Sequence, residues 1–149
     1  MSPKDEFQLL LYDEGIRHFY ATELWRHDPP KPLWENIIPT LRVLEEAREK
    51  FDAAIYLTST YRDEKYNRRV GGKPDSLHMQ FNAIDFVVKD RTILIDIWKY
   101  LASKVWSVSH HGNLITSANM GIGIYDTFCH VDTRGLIGRT APARWDERK

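Results

Sequence analysis

Residues 128–134, Phe-Cys-His-Val-Asp-Thr-Arg, alternate in character with a period of two. A β-strand turns successive side chains to opposite faces. On a strand, His130, Asp132 and Arg134 share one face, while Cys129, Val131 and Thr133 share the other. One face offers an imidazole, a carboxylate and a guanidinium; the other suits a core. Any fold this chain adopts must bury one side of that strand and keep the other for polar chemistry.

A second stretch, Ser76-Leu77-His78-Met79-Gln80-Phe81-Asn82-Ala83-Ile84-Asp85, supplies partners for His130. Asp85 leads into Phe86-Val87-Val88, which reads as a strand. Histidine and aspartate are ordinary zinc ligands, and a catalytic zinc site takes three protein ligands and leaves one position for water. His78, Asp85 and His130 make such a set. Cys129 is the only cysteine, so an intramolecular disulfide and a cysteine-rich metal site are both excluded.

Asp28-Pro29-Pro30-Lys31-Pro32 is a stiff connector, and Thr22 before Glu23-Leu24-Trp25 reads as a helix N-cap. Leu33, Ile37, Leu41, Leu44 and Ala47 keep helical spacing, with Pro39 expected to kink that helix or divide it into a short turn and a longer piece. Ala54–Ser59 and Ala83–Val88 read as strands. Arg62–Val70 reads as helix, and Gly71–Asp75 as a loop. Asp90-Arg91-Thr92 caps a further helix with Ile93, Leu94, Ile97, Trp98, Leu101 and Val105 on its apolar face. Gly112 and Asn113 mark a turn, and Gly121–Tyr125 is a strand with glycine at close approaches. Helices and strands do not alternate regularly, so the expected class is α+β.

The chain has 149 residues and no net formal charge. That length suits one domain, 1–149. Charge balance and the lack of a basic stripe argue against nucleic acid as a partner. Met1–Leu11 carries Asp5 and Glu6 and has no long apolar run. It does not read as a signal peptide, and no stretch reaches membrane-spanning length. Synthesis in the cytoplasm with no membrane insertion is the expectation.

Together these elements resemble the zinc D-alanyl-D-alanine carboxypeptidase family, within the wider group that includes lysostaphin-type endopeptidases and hedgehog signalling domains. The family pattern Ser-x-His-x-x-Gly-x-Ala-x-Asp is met by Ser76, His78, Ala83 and Asp85. The Phe-Val-His-Val-Asp-type strand is met by Phe128–Asp132. Ser-x-Tyr-Arg followed by Asn and a Gly-Gly loop is met by Ser59–Arg62, Asn67 and Gly71-Gly72. Gly121–Tyr125 matches the run before the last strand. The likeness spans about Glu23 to Trp145.

The resemblance implies a small antiparallel sheet carrying the zinc site, flanked by helices. It implies His78, Asp85 and His130 as zinc ligands, and Arg62 on a substrate carboxylate or on the oxyanion formed at the attacked carbonyl. Ser76 is implied to orient a ligand or the substrate-binding loop. The implied substrates are peptidoglycan peptides containing D-residues, cut by a carboxypeptidase or endopeptidase. A chain without a signal peptide suits a phage endolysin or virion-borne enzyme acting on the bacterial cell wall. The rival reading is a virion component that uses the same fold as an assembly surface.

Two positions depart from the pattern. Phe81 replaces the glycine, where it would narrow the cleft, change the substrate, or mark a site freed from catalytic constraint. Thr127 stands where several branches carry an acidic general base. Asp132 is the preferred base, being in phase with His130, although an equally weighted role is to hold His130 or Arg134. Asp126 is the other nearby carboxylate. His110 and His111 read as loop residues with diverging side chains, and His18 and His27 as surface residues. Trp34, Trp98 and Trp106 read as core in helical patterns, Cys129 as a core thiol, and Trp145 as packing the C-terminus back onto the domain.

Overall fold

The computed structural model describes residues 1–103 and 105–149, and for residues 105–108 the backbone alone. The described helices are α1 (Pro3–Asp13), α2 (Ala21–Leu24), α3 (Ile38–Phe51), α4 (Glu64–Arg69) and α5 (Arg91–Ser103). The strands are β1 (Tyr56–Ser59), β2 (Ala83–Val87), β3 (Val105–His110), β4 (Asn113–Thr116), β5 (Gly121–Ile124), β6 (Cys129–Asp132) and β7 (Ala143–Asp146). The class is α+β. Five strands form the main sheet in the order β1-β2-β6-β5-β7, and β3 and β4 form a separate hairpin.

The expected sheet was wholly antiparallel, and four of its strands are. β7 adds to β5 in parallel, making the sheet mixed. A parallel neighbour needs a long return path. Here the path from β5 passes through β6 and the 3-10 turn Arg134–Ile137 before reaching β7.

Local sequence explains most element ends. Pro39 divides the long apolar pattern as expected. A 3-10 helix covers Lys31–Ile37, and α3 begins at Ile38 with proline in its first turn, where the missing N–H costs no helical hydrogen bond. Asp52 ends α3 in the left-handed conformation. Asp90 accepts a hydrogen bond from the Thr92 N–H at the start of α5. Asp63 caps α4 by accepting from Tyr66 N–H, so that helix starts two residues later than Arg62. α2 is capped from Tyr20, whose N–H donates to the Glu23 carboxylate. Thr22 therefore lies inside the helix and is not its cap.

α5 stops at Ser103, and Val105 and Trp106 belong to β3. Their assignment to a helix is corrected; the burial of their side chains lies outside the described residues. α1 had no counterpart in the sequence reading. Its Phe7 and Leu11 are fully buried. Phe7 meets Trp25, Trp34 and Phe81 at ring-centroid distances of 5.0, 5.4 and 5.7 Å, forming an aromatic cluster at one end of the core.

The sheet has two distinct faces. Leu57, Ile84, Phe86, Ile122, Ile124, Cys129 and Val131 are buried in the core with α3 and α5. The opposite parity carries Asp85 on β2, His130 and Asp132 on β6, and Gly121 and Gly123 on β5. At the typical ~25 cal/mol per Å² of apolar surface, the first face holds the sheet in place and leaves the second for chemistry.

Candidate metal centre

Strand register builds the site. Ser59 pairs with Asp85, Asp85 with His130, His130 with Gly123, and Gly123 with Trp145. One residue from each of the five strands therefore lies in a single row across the sheet. Next to it, Ala83, Asp132, Gly121 and Ala143 form the adjoining row.

His78 reaches the first row from the 3-10 turn Leu77–Gln80. Ser76 caps that turn, its Oγ accepting from the His78 N–H at 3.2 Å. Thr60 O accepts from His78 Nδ1 at 2.7 Å, which leaves Nε2 as the imidazole's available lone pair. That Nε2 lies 3.2 Å from Asp85 Oδ2. On the other side, His130 Nδ1 lies 3.0 Å from Asp85 Oδ1, and His130 Nε2 lies 2.7 Å from Asp132 Oδ2. The two imidazoles thus turn opposite nitrogens toward one carboxylate, with an outer nitrogen of each held by a fixed oxygen. This is how ligating histidines are usually oriented.

The three donors are buried and lie within 4.8 Å of one another. Two imidazoles and a carboxylate match the donor chemistry of a borderline divalent cation. The spacing fits as well: bonds of about 2.0–2.1 Å in a tetrahedron imply donor separations of about 3.3 Å. The sequence-predicted ligands therefore converge, and the donor set suits a divalent cation.

Asp132 is fully buried. Its Oδ1 accepts from Gly121 N–H, Arg134 N–H and Arg134 Nε, and its Oδ2 faces His130 Nε2 and accepts from Arg134 Nη2. Burial works against its charge, but the His130 and Arg134 hydrogen bonds win and lower its pKa to about 2. Burial likewise opposes charge on His130; hydrogen bonds to Asp132 and Asp85 outweigh it and raise His130 to about 9. Asp85 is held well below the usual carboxylate range, its burial outweighed by hydrogen bonds from His130 and His78.

Arg62 lines the same cluster. Its Nη2 is 3.5 Å from Asp85 Oδ2, its Nε donates to Ser59 Oγ, and its Nη1 donates to Asn67 Oδ1. Asn67 is buried and its amide donates to Lys73 O, joining α4 to the Gly-Gly loop. A Cβ on Gly72 would sit 2.0 Å from Asn67 Oδ1, so glycine is required for this approach. The Gly121 and Gly123 spacing has the same kind of cause. A Cβ on Gly121 would collide with Arg134 and Asp132, and one on Gly123 would lie 2.1 Å from the Trp145 indole.

Trp145 is the site residue whose role the sequence reading missed. Packing of the C-terminus was expected; a wall over the metal-ligand candidate was not. Its ring lies 5.0 Å from that of His130, and its Nε1 donates to Tyr125 Oη. The Arg134 guanidinium stacks on it at 5.6 Å. The signal was present in the paired glycines, which imply a bulky group crossing β5.

Phe81 does not enter the cleft. It is fully buried and points into the aromatic cluster, 5.7 Å from Phe7 and 6.2 Å from Tyr61. Its backbone is left-handed, with φ of 50°. A glycine would adopt that conformation freely, whereas an L-residue incurs about 1–2 kcal/mol. Burying a phenylalanine side chain contributes about 1.5–3 kcal/mol, enough to offset the strain. Asp126 turns away, toward Arg91 and the Lys149 N–H, and Thr127 is exposed.

The remaining histidines are half-buried or exposed, and each has a neighbour. His18 Nδ1 is 2.6 Å from Glu45 Oε2, and His27 packs against Tyr66. His110 and His111 converge rather than diverge, with ring centroids 4.1 Å apart. Trp34 is buried and Trp98 packs against the core; Cys129 is fully buried, and its thiol is pushed up by burial.

A comparison with curated proteins found no match. A family model described as Peptidase M15 matches residues 19–132. Its span takes in α2 through β6, including the turn that carries His78 and the strands that pair Asp85 with His130. Most of the chain, and all three converging donors, fall inside that match: the chain belongs to the peptidase M15 family.

Proposed function

We propose that the protein is a zinc-dependent peptidase that cuts peptide bonds in peptidoglycan stem peptides or cross-bridges. The observation that supports it most is that two anchored imidazoles, His130 in the row across the sheet and His78 on the adjoining 3-10 turn, face the shared Asp85 carboxylate. His78, Asp85 and His130 would hold the ion. Zinc bound there supplies an acidified water and a polarised carbonyl.

The surrounding residues bind and orient. Arg62 offers a guanidinium beside the cluster for a substrate carboxylate or a developing oxyanion. Ser76 fixes the turn that carries His78. Asp132 holds His130 Nε2 and the Arg134 guanidinium, and these contacts favour the orienting one of its two expected roles over that of general base. Trp145 walls the site on the β7 side and limits water beside His130.

No described helix is long and apolar enough to cross a membrane. Action on the cell wall, as a phage endolysin or virion-borne enzyme, fits a substrate outside the membrane. The test is digestion of purified sacculi and defined muropeptides, with mass analysis of products, with and without a chelator. Chelator-sensitive release of peptides that disappears in His78→Ala supports the reading; intact muropeptides in the zinc-loaded protein overturn it.

A second reading, a virion assembly protein on this fold, draws on Thr127, which leaves the usual acidic position without a carboxylate. Phe81 lends it no support, since the side chain serves the core. Stable association with virion parts and bound metal without hydrolysis would favour it.

A further inference from the structure

At the tip of the β3–β4 hairpin, His110 pairs with Asn113 across a two-residue loop of His111 and Gly112. Both loop residues have positive φ, 50° at His111 and 78° at Gly112. Such turns favour asparagine or glycine at the first loop position, since a larger L-side chain is strained there. Here the position holds histidine. Left-handed backbone at His111 swings its imidazole to the same side as that of His110, and the rings lie edge to face, 76° apart.

Both rings face Glu35, in the 3-10 helix ahead of α3. His110 Nε2 is 3.7 Å and His111 Nε2 3.5 Å from the same oxygen, Glu35 Oε2. These separations exceed a charge-assisted hydrogen bond, which runs about 2.7–2.9 Å. They sit near the donor separation of about 3.3 Å in a tetrahedral zinc polyhedron. The contrast with His18 and Glu45 is direct. There the contact is 2.6 Å and the other Glu45 oxygen accepts the Arg17 and His18 N–H groups, so that pair is a closed hydrogen-bonded unit. At the hairpin, one donor atom each from Glu35, His110 and His111 falls within 4.8 Å of the others.

We propose that Glu35, His110 and His111 form a second divalent-cation site, separate from the His78 cluster and selective for a borderline metal such as zinc. Two imidazoles and one carboxylate favour such an ion over calcium or magnesium. Glu35 and His111 are more than half exposed, which leaves room for water as a fourth ligand. The ion clips the hairpin tip to the segment that leads into α3, so its role is structural: it couples β3 and β4 to the helical layer behind the sheet.

The experiment is zinc stoichiometry by equilibrium dialysis, on the full chain and on two single variants. The full chain is expected to bind two zinc ions, the His78→Ala variant one, and the His111→Asn variant one. Asparagine suits the left-handed turn, so the second substitution leaves the hairpin geometry intact. Zinc is further expected to raise the melting temperature of His78→Ala and to lose that effect in the double variant. One ion bound by the full chain and none by His78→Ala overturns the proposal, as do two ions retained by His111→Asn. If His78→Ala binds as much zinc as the full chain while His111→Asn binds none, the hairpin site stands and the ligand assignment at His78 fails.

Discussion

The two histidine clusters use the same donor types and differ in everything around them. In the sheet, His78, Asp85 and His130 are buried, and each imidazole is fixed by a second contact, to Thr60 O or Asp132. At the hairpin, His111 and Glu35 are mostly exposed and the pair is assembled by a turn. The difference teaches that donor identity alone does not make a reaction centre. Orientation by a second layer, burial, and a neighbouring Arg62 distinguish a site suited to catalysis from one suited to a clip.

The largest test of that contrast is His78→Ala against His111→Asn, read as release of peptides from sacculi. Loss of a ligand in the sheet is expected to lower the rate by ~10³-fold or more, the scale of several kcal/mol of charge stabilisation. The hairpin substitution is expected to leave the rate within a factor of about three of the unsubstituted protein. Equal losses would erase the distinction.

Phe81→Gly probes what lies behind the sheet site. Relief of left-handed strain returns about 1–2 kcal/mol, against ~3–5 kcal/mol for deleting a buried phenylalanine. Urea denaturation should show a net loss of about 1–4 kcal/mol. The bond specificity of the folded fraction should be unchanged, because the side chain faces Phe7 and Tyr61.

Asp132→Asn tests the orienting layer. Loss of such a partner typically costs ~10–100-fold in metal affinity or activity. Zinc competition with a chromophoric chelator should show that drop, while the hairpin stoichiometry is unaffected.

The subtlest test is titration of the metal-free protein by histidine NMR. His130, faced by Asp85 and Asp132, should titrate near 9. His110, faced by His111, Glu14, Glu35 and Arg42, should titrate below the ordinary 6.5, chiefly because burial disfavours its charge. The stability contributions have opposite signs. The part from His130 is fully present below about pH 6.5 and is lost as pH rises through about 9. The part from His110 is lost as pH falls below the ordinary histidine value. A divalent ion held by His130 would compete with its proton, so zinc loading should remove the alkaline decline in denaturation midpoint.

Much of the fold was legible because its signals are local. Pro39 divided the long apolar pattern, Asp90 capped α5, and the alternation at Cys129–Asp132 gave both faces of β6. The missed pieces were α1, β7 and the strands of the β3–β4 hairpin, which gain their stability from tertiary neighbours. α1 is held by the burial of Phe7 and Leu11, and β7 by pairing with a strand about twenty residues earlier. The site divides the same way. Its metal-ligand candidates and Arg62 stand in motif positions, and the Trp145 wall left a trace in the glycines of β5, whereas the Thr60 carbonyl and the pairing of His110 with His111 have no local code.

The amino-acid order by itself determined which side chains share a face, since a strand's period of two is a property of the backbone, and it named the donors available to a metal. Only the tertiary structure decided which strands became neighbours, and so placed Ser59, Asp85, His130, Gly123 and Trp145 in one row. It also decided that Phe81 turns to the core and that adjacent histidines converge. Each of these depends on a long-range pairing or a left-handed residue, where packing against distant parts of the chain outweighs local preference.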